Sequence, residues 1–296
     1  MGLKSIVCAL SVVLIWGLNF SVIKFGLEEL PPILFSGLRF LIVAIPAVFI
    51  VPFPKTSVWN VIGVGVFLGV LKFSFLFVAM KADASAGISS LLLQAQVIFT
   101  ILFSALFFKE KTNRYQFAGI VMACLGFSLF IITSNGNITS NGLIMLLFAA
   151  LFWAISNLIM KRTGDVNLLH FMVWVSLIPP IPLFILSFLF ENRDPIGLLM
   201  ATSEKSWLSV IYVGYISTLV AFAIWGWLLR SHHAATVTPF ALLIPIVGII
   251  SSNLLLDETL TTLETFGTIF ILLGLFTSVF GQRMFRFLTL NNRSAL

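Results

Sequence analysis

Two cations stranded in apolar sequence set the chemistry open to this chain. Lys72 falls near the middle of an apolar run at 58–80, and Arg39 lies about two turns into a run at 33–52. A charge in the middle of an apolar helix costs at least a few kcal/mol, so each must face a cavity or a partner. No acid stands beside them, because all eleven Asp and Glu fall in loops or at the ends of apolar runs. Lys72 in a watery cavity would attract a substrate carboxylate. The alternative is a neutral or water-solvated lysine whose long stem reaches carbonyls or an interface. Arg39 is expected first as a structural tie, through carbonyls or a loop acid such as Glu28 or Glu29, and second as a substrate contact.

A second group is neutral. Asn19, Gln94, Gln96 and Asn157 lie near the middle of apolar runs and could hydrogen-bond a small polar solute, with Trp16 and Trp153 as cavity walls. Amides in a helix bundle also bond neighbouring helices for about 1 kcal/mol each, and that reading stands beside the first. Pro245 removes a backbone bond midway along its run and is expected to kink it. Gly65 and Gly69 form a G-x-x-x-G that suits close helix approach, within one molecule or between two. Cys8 and Cys124 have no metal or disulfide spacing and are expected as small core residues. No H-E-x-x-H occurs, and no Ser, His and Asp stand at a common depth. The expectation is binding rather than catalysis: no metal, no cofactor and no enzyme.

The elements that position these residues follow from composition. Of 296 residues, 59% are hydrophobic and 9% charged, and the mean hydropathy is +1.11. A soluble domain of this length needs more charge to cover its surface. Crossing a bilayer as a helix takes about 20 apolar residues, and such runs recur at about 5–24, 33–52, 58–80, 85–108, 115–133, 141–161, 168–190, 206–229, 233–256 and 262–284. They are solidly apolar rather than alternating, which excludes a barrel. The fold class is therefore an all-α polytopic membrane protein with ten transmembrane helices, whose partner is the lipid bilayer. The net charge of +6 comes from basic residues at the ends of the runs, which orient the chain, so nucleic acid is not an expected partner.

With the N-terminus in the cytoplasm, eleven Lys and Arg fall on that side and four on the other, so both termini are expected inside. Glu110, Gly119 and Gly126 recur as Glu258, Gly267 and Gly274, each 148 positions on, and Trp16–Lys24 recurs as Trp153–Lys161. Duplication of an odd number of spans inverts the second copy. The expected domains are residues 1–134 and 135–296, two inverted five-helix repeats with a polar passage between them. Nothing in the sequence fixes an oligomeric state.

These same stretches carry a resemblance. W16-G-L-N-F with V22-I-K24, P31-P32, G37-L-R-F40, L93-Q-A-Q96, L243-I-P-I-V-G248 and L254-L-L-D-E-T-L260 resemble the EamA family of the drug/metabolite transporter superfamily, and within it the bacterial O-acetylserine/cysteine exporter branch. The resemblance implies a bacterial inner-membrane protein that exports small amino-acid metabolites. It also implies capping or gating roles for Glu110 and Glu258 at opposite ends of the fold. Lys72 departs from the branch's pattern. The alternatives are export of another solute class, such as aromatic amino acids or toxic compounds, and a membrane enzyme or scaffold.

Overall fold

The computed structural model describes residues 1–132 and 136–293, with side chains for all of these except 234, 235 and 283–293. Ten helices are long and apolar enough to cross a bilayer: span 1 Leu3–Leu27, span 2 Pro32–Phe49, span 3 Val58–Asp83, span 4 Ala86–Phe108, span 5 Arg114–Ile132, span 6 Ser140–Arg162, span 7 Leu168–Phe190, span 8 Glu204–Ser231, span 9 Thr238–Leu256 and span 10 Thr262–Gln282. Apart from an isolated bridge between Ala84 and Ile138, the described residues form helices and their connections. Large apolar side chains such as Phe49, Trp59, Phe107 and Phe190 are exposed on the outside, as a lipid-facing surface requires. Cys124 belongs to that exposed surface rather than to the core, because the outer face of a lipid-bathed helix is as apolar as its inner one.

Several spans are interrupted. Span 3 runs as a π-helix over Gly65–Lys72, and span 8 does so over Tyr212–Val220. Span 4 breaks at Leu93–Gln94 before an α-helix resumes at Ala95, and span 9 begins as a 3₁₀ turn over Thr238–Leu243. Pro245 therefore sits in the first turn of the α-helical part of span 9, Ile244–Leu256. It does not kink a continuous helix. Its ring lies where an amide proton has no helical partner to lose. Spans 4 and 9 both end in a left-handed residue, Lys109 and Asp257, each at φ 54°. The residue that follows, Glu110 or Glu258, donates its N–H to Ser104 O or Ser252 O. These paired irregularities lie 147–148 positions apart in the sequence.

Glycines set the closest approaches. Spans 5 and 10 cross where Gly119 meets Gly274 and Gly126 meets Gly267. A Cβ on Gly274 would stand 2.6 Å from Gly119 O, and one on Gly126 2.8 Å from Gly267 O. Gly65 and Gly69 instead lie against Ile178 and Pro179, where span 7 breaks, so this G-x-x-x-G serves packing within the molecule.

One end of the bundle is tied shut by polar contacts. Lys24 Nζ donates to Met80 O and Ala84 O, at 2.5 and 3.1 Å, and Lys81 donates to Leu27 O. Glu191 accepts from Ile33 N and Leu34 N at 2.7 and 3.0 Å, capping span 2 from the end of span 7. Glu29 accepts from Ser203 N at 2.8 Å, a bond that holds its carboxyl below the ordinary glutamate range. Glu264, fully buried, accepts from Asn137 N and Nδ2. Replacing Glu191 with alanine uncaps span 2 and is expected to cost about 1–2 kcal/mol. Thermal unfolding of the detergent-solubilised chain reads this directly, and an unchanged midpoint would mean that water satisfies the freed N–H groups.

Candidate functional site

The cations meet around one ring. Lys72, the last residue of the π-helical stretch of span 3, is 5% exposed, and Arg39 of span 2 is 4% exposed. Arg39 Cζ lies 3.9 Å from the centroid of the Phe73 ring and 4.3 Å from that of Phe40. Lys72 Nζ lies 3.4 Å from the Phe73 centroid and 4.8 Å from that of Trp153. The two charges are thus no more than about 7 Å apart, the distance their shared ring allows. Each cation–π contact contributes roughly 0.5–2 kcal/mol, the upper end applying where water is excluded. Burial of each ion costs several kcal/mol, so ring faces alone do not balance the site.

Their hydrogen bonding is sparse. Arg39 Nη2 donates to Thr218 Oγ1 at 3.3 Å, and Thr218 itself donates to Val213 O at 3.0 Å. That second bond spans five residues, in the π-helical stretch of span 8. Arg39 Nε is buried with no partner, and Lys72 Nζ has no hydrogen-bonded acceptor among the described residues. Arg39 makes no tie to Glu28 or Glu29, since Glu28 pairs with Lys205 at 2.8 Å and Glu29 is committed to Ser203. Both acids lie in the connection at the closed end, beyond the reach of a side chain two turns inside span 2.

The aromatic side chains form a continuous wall. Trp16 Nε1 donates to Ser217 O at 2.9 Å, and its ring meets Phe222 and Trp225 at 5.3 Å each. Phe222 packs in one cluster with Phe73 and Trp153. On span 6, Trp153, Asn157 and Lys161 follow at i, i+4 and i+8, one face of a helix. Trp153 reaches Lys72, Asn157 Nδ2 donates to Gln96 Oε1 at 2.7 Å and to Thr100 Oγ1 at 3.3 Å, and Lys161 pairs with Glu110 at 2.5 Å. Asn157 and Gln96 thus bond each other between spans 6 and 4. Asn19 Oδ1 is buried without a partner, and the Gln94 amide, at the break in span 4, has no hydrogen bond among the described residues. Buried unpaired polar atoms cost about 1–3 kcal/mol each, and so call for an explanation.

The end of the bundle that holds Lys161 and Glu110 is the more open. A cavity of about 580 Å³ lies among the ends of spans 6, 7 and 8, lined by Met160, Asp165, Leu168, Phe171, Gly226 and Arg230. Phe171, Leu168 and Met160 belong to the same apolar cluster as Phe73 and Trp153, so that cluster borders the cavity. A volume of this order accommodates a small metabolite. At the other end, Glu258 accepts from Ala86 N and Gly87 N at 2.9 and 3.0 Å and closes spans 9 and 4 together. The carboxylate of Glu110, its counterpart 148 residues earlier, makes only the half-exposed ion pair with Lys161 among the described residues.

Phe73, Thr218 and Phe222 belong to the candidate site and are not singled out by the sequence. Phe73 adjoins Lys72, but it is one of 31 phenylalanines, and nothing local distinguishes it.

The profile of the EamA-like transporter family matches residues 3–132 and again residues 140–280. The chain belongs to the EamA-like transporter family. This EamA-like chain is 41% identical over 285 residues to a protein of Salmonella typhimurium named "Probable amino-acid metabolite efflux pump", with 94% of this chain and 95% of the relative covered. An Escherichia coli protein of the same name is 40% identical, with 96% and 97% covered. A solved crystal structure superposes with a TM-score of 0.62 at 18% identity, covering 96% of this chain and 99% of that one, a likeness of fold alone.

Proposed function

We propose that this chain exports small amino-acid metabolites across the bacterial inner membrane by alternating access between two inverted five-helix halves, residues 1–134 and 135–296. The observation that carries the reading is a pair of buried cations, Arg39 and Lys72, with no acid in contact with either among the described residues, in a bundle with a cavity at one end and capping contacts at the other. A carboxylate is the group such a site lacks. Aromatic faces of Phe73, Trp153 and Trp16 suit an apolar substituent, and the free amides of Asn19 and Gln94 suit the polar remainder. The names of the Salmonella and Escherichia relatives support the solute class.

Inversion is supported by the double match of the family profile and by irregularities that recur 147–148 residues apart. The crossing of spans 5 and 10 supports it too: exchanging each glycine for its counterpart turns the Gly119–Gly274 contact into Gly267–Gly126. The boundary at 134 and 135 itself lies outside the described residues. The excess of Lys and Arg supports a cytoplasmic location for both termini and the cavity end. The site residues and the missing catalytic motifs support a transporter that is not an enzyme.

Proteoliposomes containing the full chain, loaded with labelled O-acetylserine, cysteine or leucine, are expected to show saturable flux that the unlabelled compounds compete away. Flux no greater than in empty liposomes for all of them overturns the reading.

A further inference from the structure

We infer that the Arg39–Phe73–Lys72 cluster selects a net-anionic ligand: an amino-acid derivative whose carboxylate is free and whose amino group is acylated, in preference to the corresponding zwitterion. The inference rests on the cluster being the substrate site and narrows which amino-acid metabolites that site prefers.

Charge is the first argument. Arg39 and Lys72 share the Phe73 ring and are 4% and 5% exposed. The ion pairs among the described residues are Lys161–Glu110 and Lys205–Glu28, both half-exposed and at the ends of the bundle. The acids nearest the interior are already used. Glu258 caps span 4, Glu191 caps span 2 and Glu264 holds Asn137. A zwitterion entering this cluster brings its ammonium close to two like charges where water is scarce, and no acid stands there to receive it. An acylated amine carries no charge and escapes that repulsion.

The donor and acceptor inventory leads to the same ligand. Lys72 keeps all its N–H donors and Arg39 all but one, including the buried Nε that has no partner. Thr218 Oγ1, the hydroxyl at the cluster, already accepts from Arg39 and donates to Val213 O. Among the groups in contact with the two cations, donors are thus in surplus and the one hydroxyl acceptor is taken. An ammonium group adds donors where donors are in surplus, whereas an amide carbonyl beside a carboxylate adds acceptors. The rings of Phe40, Phe73 and Trp153 that contact the two cations make the surroundings of the cluster apolar, which suits an acyl carbon chain.

N-acetylserine and O-acetylserine make a matched pair of probes, with the same atoms and net charges that differ by one. Calorimetric titration of the full chain in detergent is expected to show N-acetylserine binding at least tenfold more tightly. In Lys72→Gln that ratio is expected to fall several-fold. Because the wild-type comparison needs no variant, a misfolded mutant leaves the test intact. Equal binding of the two isomers, tighter binding of O-acetylserine, or no binding of N-acetylserine overturns the inference. The two proposals also fail separately. Saturable O-acetylserine flux with no preference for its isomer sinks the anion selectivity and leaves export standing. Tight N-acetylserine binding without flux of any amino-acid metabolite sinks export and leaves the ligand class standing.

Discussion

Gly274→Leu is expected to cost at least about 3 kcal/mol of stability and most of the folded yield. Two effects of opposite sign compete. Leucine is the better helix former by roughly 0.8–1 kcal/mol, so on local propensity alone the change should stabilise span 10. Against that, a Cβ at this position would lie 2.6 Å from both Ala123 N and Gly119 O. Those are backbone atoms of span 5, which no rotamer change can move. Overpacking of this kind costs about 1–3 kcal/mol where side chains can adjust and more where they cannot. The two helices must therefore separate, and the close Gly126–Gly267 approach along the same crossing weakens with them. Size-exclusion profile and thermal midpoint in detergent measure the outcome. Gly2→Leu is the control, since a Cβ there meets nothing within 4 Å. If Gly274→Leu behaves like the control, the crossing does not hold the bundle together.

Hydropathy makes the spans legible because the bilayer imposes a length on every one of them. Span 8, expected at about 206–229, forms over Glu204–Ser231, and span 10, expected at about 262–284, begins at Thr262 in a helix that continues to Arg293. The breaks inside spans are harder to read. A π-helical stretch satisfies its backbone with bonds one residue longer and needs no particular side chain, so neither Gly65–Lys72 nor Tyr212–Val220 announces itself. Pro46 does announce a break, and the α-helical part of span 2 stops at Ala44. The connection between the expected runs at 168–190 and 206–229 contains a short helix, Pro195–Ala201. Its signal was present as an Asp194 cap followed by proline at the first helical position.

The candidate site was partly readable for a related reason. A lysine in apolar sequence stands out at once, whereas the ring that receives it is one phenylalanine among many. The Asn157–Gln96 bond joins two residues grouped by depth, but pairing across 61 positions is a property of the fold. Buried Glu264 shows the limit of reading charge by position: at the start of span 10 it looks like a surface acid, yet it is 0% exposed because Asn137 and Thr261 N–H groups surround it.

Removing the carboxylate of Glu258 is expected to open the sealed end. Glu258 accepts two backbone N–H bonds from Ala86 and Gly87, and hydrogen bonds to a charged acceptor contribute about 1.5–3 kcal/mol each. Water compensates once the end opens, so a net loss of about 2–3 kcal/mol is reasonable, a shift of roughly 30- to 150-fold between closed and open populations. Glu110 occupies the corresponding position at the other end, where its half-exposed bond to Lys161 contributes about 1 kcal/mol or less. In the described conformation Glu110→Ala should therefore change little, and its effect should appear only when the cavity end closes. A cysteine at Met80, which is 0% exposed at the sealed end, reports the difference. In a background lacking Cys8 and Cys124, a membrane-impermeant thiol reagent applied to the face opposite the cavity should label M80C at least tenfold faster with Glu258→Ala. The same reagent should label M80C at an unchanged rate with Glu110→Ala. Equal labelling in the two variants would mean that the carboxylate at the start of span 4 does not hold that end shut.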